Sequence, residues 1–170
     1  WIVIGSGLYL NAFFETGVTG AFDSVQSLTN NQWMVGGILR SVHRYASDGL
    51  VLTMMLHMVR HFVFDHYRGF RWFSWITGVV LLWLTFATGI NGYMLPWDRL
   101  SQFVVTATTE WFDVLPVIGG SMTRNFISNA NVSDRLFSLL VFMHIGLPLT
   151  IMAVLWVHTQ RVPGAKTTPP

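Results

Sequence analysis

From Phe73 to Leu95 the chain carries no charged residue. As a helix rising about 1.5 Å per residue, that stretch exceeds the roughly 30 Å hydrocarbon core of a bilayer. Backbone N–H and C=O groups find no water there, so a spanning segment must satisfy them internally, as a helix does. Composition agrees: 52% of residues are hydrophobic and 11% are charged, against about 25% charged in a soluble domain. A length of 170 residues allows one domain with about four spans of roughly 20 residues. The expectation is one all-α transmembrane four-helix domain over residues 1–170.

The chain divides accordingly. Trp1 to Phe14 are apolar but too few to cross the hydrocarbon, so they are read as the second half of a helix that begins before Trp1. Glu15 to Asn31 are rich in Gly, Thr, Asn and Ser and read as an extramembrane connection. A second helix is expected from Met34–Ile38 to about Phe64, with Arg40, Arg44 and Asp48 in its first turns. The polar bend Asp65 to Trp72 is short, which makes the third span its antiparallel neighbour. Pro96 ends that span. Residues 97–131 are expected as short helices at the membrane surface, where Trp97 and Trp111 would sit in the aromatic belt. The fourth span runs from about Arg135 to Arg161 and is followed by a Pro/Gly/Thr tail. Arg60, Arg68, Arg71, Arg161 and Lys166 gather on one side, which points to the cytoplasmic, stromal or matrix side for the 65–72 turn and the C-terminus.

A net charge of +2 is too small for a nucleic-acid footprint, so the expected surroundings are a lipid bilayer and no nucleic acid. The absence of cysteine excludes disulfides, zinc–thiolate sites, iron–sulfur ligation and thioether-linked haem within these residues. Histidine is left as the obvious metal ligand.

Of six histidines, His43 and His57 are 14 residues apart, and so are His144 and His158. Fourteen residues are two heptads, so each pair stays on one seam of a left-handed bundle, about 21 Å apart along it. Two such helices present imidazoles at two matching depths, and facing imidazoles can take the two axial positions of a planar iron porphyrin. The spacing thus suggests two stacked haems. Gly78 and Gly92 of the third span repeat the 14-residue separation. A residue without a side chain lets a flat macrocycle approach the backbone, although glycine pairs also serve plain helix packing. His61 and His66 have no partner at that separation and read as interfacial residues.

The stretches AFDSVQSL (Ala21 to Leu28), GGILRSVHRYASDGLVLTMMLHMVR (Gly36 to Arg60), WITGVV (Trp75 to Val80) and GYMLPWD (Gly92 to Asp98) resemble, in order and nearly in spacing, the N-terminal half of the cytochrome b family of bc1 and b6f complexes. The b6 form is the most similar. The resemblance implies two non-covalent haem b groups, bis-histidine ligated: His43 with His144 at the low-potential, quinol-oxidising side, and His57 with His158 at the high-potential side. It implies that Arg40 and Arg60 pair with haem propionates, which suits the bidentate guanidinium. It also makes Gly7, after Ser6, a third haem-clearing glycine. The implied role is an electron-transfer subunit of a quinol:acceptor oxidoreductase in an energy-transducing membrane (bacterial cytoplasmic, thylakoid or mitochondrial inner), with quinol or quinone as substrate. The implied partners are a Rieske protein, a c-type cytochrome and a subunit carrying the remaining cytochrome b helices, and a homodimer is compatible.

Two departures matter. Where the family usually carries a small residue seven positions after its Pro-Trp, beside the quinol pocket, this chain has Val104. The Arg135-to-His144 spacing is longer than the family's, so no propionate role passes to Arg135. The alternatives are a cytochrome b conduit of another respiratory complex without a bifurcating quinol site, and a haem-free structural subunit.

Overall fold

Each long apolar run is a helix in the computed structural model, which describes residues 1–116, 120–128 and 131–166. Helix α1 covers Ile2–Phe13 and α2 covers Ala21–Asn30; a π-helical turn at Trp33–Gly37 leads into α3, Ile38–Val63. After a 3-10 turn at Gly69–Arg71 come α4, Trp72–Met94, and α5, Arg99–Asp113. The short α6, Ser121–Phe126, precedes β1, Ile127–Ser128, and β2, Asn131–Val132, two antiparallel rungs pairing Ile127 with Val132 and Ser128 with Asn131. Helix α7 runs from Asp134 to Lys166.

Helices α1, α3, α4 and α7 sort into two pairs. Helix α4 packs most extensively along α7, and α1 along α3, while α3 and α4 meet over a smaller contact. Gly69–Met94 and Asp134–Gln160 are long and apolar enough to cross a membrane. Helix α3 is comparably long, but Arg40, Arg44, Asp48 and Arg60 interrupt its apolar run. The outward faces are apolar and uncovered by protein: Trp83 of α4 and Phe142 of α7 are each 72% exposed. A surface of that kind matches lipid.

The main apolar core lies where α4 ends, and gathers Ala21, Met94, Trp97, Val105, Leu136 and Phe137. The chain turns there at Pro96–Trp97–Asp98. Asp98 caps α5, its Oδ1 accepting from the Ser101 N–H and the Ser101 hydroxyl, both at 2.8 Å. The side-chain amide of Gln102 donates to the Trp97 carbonyl at 3.0 Å.

Four expectations need correction. The Glu15–Asn31 connection is half helical, because Ala21, Val25 and Leu28 recur at helical spacing and are buried on one face of α2. Trp97 is a core residue, 6% exposed, whereas Trp111 stays at the surface. Residues 97–131 end in the short β1–β2 pairing as well as helices. Helix α7 continues through Pro163 and Gly164 to Lys166, since a proline near a helix end removes one donor whose acceptor can turn to solvent. Thr167 to Pro170 of the expected tail lie outside the described residues.

Candidate functional site

Three histidines on α3 and α7 sit in one recurring arrangement. His43 lies against α1, its Nδ1 3.0 Å from the Val3 carbonyl and 3.1 Å from Ser6 Oγ. A Cβ added to Gly7 would stand 3.0 Å from the ring's Cε1. His144 lies against α4, its Nδ1 3.1 Å from the Thr88 carbonyl, and a Cβ on Gly92 would run into the ring, 2.9 Å from Nδ1. His158 sits further along α4, its Nδ1 2.8 Å from Thr77 Oγ1 and hydrogen-bonded to the Ser74 backbone. A Cβ on Gly78 would stand 3.5 Å from its Cε1.

The three sites share a register. The accepting carbonyls belong to Val3, Ser74 and Thr88, each four residues before its glycine, one α-helical turn away. At Gly7 and Gly92 the missing side chain opens the path by which the ring reaches that carbonyl, whereas at Gly78 the ring lies at ordinary contact distance.

An Nδ1–H directed to a fixed oxygen sets the tautomer and orientation of the ring and leaves the Nε2 lone pair for a metal. The His43 and His144 rings face each other across the space between the helix pairs, with centroids 6.3 Å apart and planes at 77°. Metal–imidazole bonds of about 2 Å, plus about 1.1 Å from nitrogen to ring centre, put two axial rings on one ion about 6 Å apart. The spacing and the glycine cradles therefore fit a bis-imidazole iron porphyrin. Among the described residues there is no compact cluster of three or more His, Cys, Asp or Glu able to hold a bare ion, so a site here relies on opposed pairs.

His57 is exposed, near enough to His158 to interact electrostatically, and its ring is 4.3 Å from that of His61. His61 in turn lies 5.4 Å from His66, which forms an imidazole row at the α3–α4 bend. Arg40 Nη1 donates to Thr29 Oγ1 at 2.5 Å and has Asp98 and Arg44 as charged neighbours. Arg60 lies over the Phe64 ring at 5.7 Å and is exposed. Arg135 stacks on Phe126. Val104 is half-buried against the apolar core at the α4–α5 corner.

Two residues with no site role in the sequence reading contact the histidines directly: Thr77, and Ser6, noted there only as a family match. The available signal is a hydroxyl residue immediately before the glycine, in Ser6-Gly7 and again in Thr77-Gly78. The third glycine follows Asn91, whose buried Oδ1 has no hydrogen-bond partner among the described residues.

The fold is similar to that of a chain in a solved hyperthermophilic respiratory Complex III, with a TM-score of 0.84 and 23% identity over 99% of this chain. This chain spans 46% of that one's length. Residues 1–162 match the family model described as cytochrome b/b6/petB, and the chain belongs to the cytochrome b family.

Proposed function

We propose that residues 1–170 form the dihaem core of a bc1- or b6f-like complex and conduct electrons across an energy-transducing membrane between quinol or quinone and partner redox subunits. The observation that carries this reading is the His43–His144 pair, two rings 6.3 Å apart, each with Nδ1 already engaged by a neighbouring helix. His57 and His158, 14 residues along the same two helices, would form the second level.

A haem b held there would supply one-electron redox chemistry at its iron. The chain's own groups do the rest. His43 with His144, and His57 with His158, would hold the iron through Nε2. The carbonyls of Val3, Ser74 and Thr88 fix ring orientation. Arg40 and Arg60, each about one turn from a ligand on α3, offer guanidinium groups to propionates at the two ends of the stack. The apolar outer faces of α4 and α7 keep the electron path in hydrocarbon. Separation in depth couples transfer to the membrane potential, worth about 2.3 kcal/mol per charge per 100 mV. The complementary parts would be a Rieske protein, a c-type cytochrome and a subunit with the remaining cytochrome b helices, in a complex that is compatible with a homodimer.

The test is a reduced-minus-oxidised spectrum with haem counting on the purified chain or complex. Two extractable b-type haems per chain are expected. His43→Leu and His144→Leu should remove one haem, His57→Leu and His158→Leu the other, and His61→Leu neither. A count below two, or loss on His61→Leu with retention on His57→Leu, overturns the assignment.

A further inference from the structure

Building on the dihaem reading, we propose that Ser6 and Thr77 are positioning residues, one at each level, whose hydroxyl oxygens accept the Nδ1–H of His43 and His158 and lower the reduction potential of the iron held there. The donor inventory carries the argument. A hydroxyl has one proton and two lone pairs. Ser6 Oγ lies 2.7 Å from the Ile2 carbonyl and 3.1 Å from the Val3 carbonyl. Thr77 Oγ1 lies 3.0 Å from the Phe73 carbonyl and 3.1 Å from the Ser74 carbonyl. Each hydroxyl proton is thus committed to the residue's own helix, and only lone pairs are left for the imidazole.

The ring nitrogen is therefore the donor in both contacts, at 3.1 Å for His43 and 2.8 Å for His158, its one proton shared between the hydroxyl and the Val3 or Ser74 carbonyl. A hydroxyl that donates to a carbonyl is polarised into a better acceptor. An acceptor at Nδ1–H raises the basicity of Nε2, and a more basic axial ligand favours the ferric state. Both residues are well placed to act this way: Ser6 is 4% exposed and Thr77 is half-buried. His144 has no hydroxyl acceptor among the described contacts and relies on the Thr88 carbonyl. The Thr88 hydroxyl donates to the Leu84 carbonyl at 2.8 Å, one turn back along its own helix.

The experiment is a redox titration of each haem, followed optically and by low-spin EPR, in Ser6→Ala and Thr77→Val. Ser6→Ala should raise the potential of the haem bound by His43 and His144, and Thr77→Val that of the other haem, each by roughly two- to tenfold in the reduced-to-oxidised ratio at fixed ambient potential. Ser6→Thr and Thr77→Ser, which keep the oxygen, should keep the wild-type values. Full haem content with unmoved potentials in Ser6→Ala and Thr77→Val overturns the proposal. Loss of haem from both Thr77→Val and Thr77→Ala would make that hydroxyl structural and overturns it as well. Failure of the dihaem reading is distinct, because the wild-type protein itself would then lack two b-type spectra.

Discussion

The indole of Trp97 meets the ring of Phe137 edge to face, with centroids 4.8 Å apart and planes at 74°. Trp97 reaches this position with φ at +54°, in a region that costs a residue with a Cβ about 1–2 kcal/mol. Packing offsets the strain, since Phe137 is fully buried and Trp97 nearly so. Trp97→Ala should keep the strain and lose the packing, lowering stability by about 3–5 kcal/mol. Trp97→Gly should lose less, by roughly 1 kcal/mol, because glycine adopts positive φ freely. Thermal unfolding in detergent would rank the two. A glycine variant no more stable than the alanine variant would show that the left-handed turn carries no strain.

The three ring-facing glycines form a graded series. A methyl on Gly92 runs into the His144 ring, one on Gly7 meets the His43 ring at 3.0 Å, and one on Gly78 is at ordinary contact, 3.5 Å from His158. Gly92→Ala should therefore displace the His144 ring from the Thr88 carbonyl and abolish or strongly deplete one haem. Gly7→Ala should broaden or shift the same haem's spectrum, and Gly78→Ala should be nearly silent. Haem-resolved spectra of the three variants provide the check, and equal effects at all three would sever the link between the glycines and the rings.

The opposition of His43 and His144 was legible because imidazoles that repeat at one helical separation on two spans share their depths, and hydrocarbon leaves few other reasons for an imidazole; the placing of His57 against His61 was not. The antiparallel α3–α4 pair was legible because the polar Asp65–Trp72 bend is too short for any other path. Helix α2 was obscured because its buried Ala21, Val25 and Leu28 are diluted by Ser, Thr and Asn. Trp97 was misassigned because an indole beside a span end suits the lipid interface as well as a core, and only the fold brings Phe137 beneath it. The roles of Ser6 and Thr77 could not be read from the chain, since a helical hydroxyl ordinarily bonds its own carbonyl one turn back. Both do that here, and the contact to the histidine is added by the neighbouring helix.

Asp98 supplies a pH dependence. Its carboxyl is held below the ordinary carboxylate range, chiefly by the Ser101 backbone N–H, which outweighs desolvation with the help of the Ser101 hydroxyl, the Leu100 N–H and the charge of Arg40. A carboxyl depressed in the folded state stabilises above its unfolded value, near 3.9, and that contribution is lost as pH falls through the lower folded value. The wild type should therefore lose stability more steeply than Asp98→Asn below about pH 4. The difference should be small, because the carboxylate is largely exposed to screening. Parallel acid-limb melting curves for the two proteins would count against the capping role.

Val104 offers a test of the proposed quinol-oxidising role. It is half-buried against the core that holds Trp97 and Phe137, next to the buried Val105 on α5. If this corner contributes to a quinol pocket, a branched side chain in place of a small one narrows the space. Overpacking of that kind costs about 1–3 kcal/mol, or about tenfold to a hundredfold in affinity for a rigid inhibitor. Val104→Gly should restore inhibitor sensitivity in the assembled complex while leaving both haem spectra unchanged. The same substitution also removes core packing and places glycine within α5, so thermal stability should fall by roughly 1–3 kcal/mol whichever role applies. Inhibitor titration separates the two roles: equal inhibition constants in wild type and Val104→Gly would reduce Val104 to a packing residue and favour a conduit without a bifurcating site.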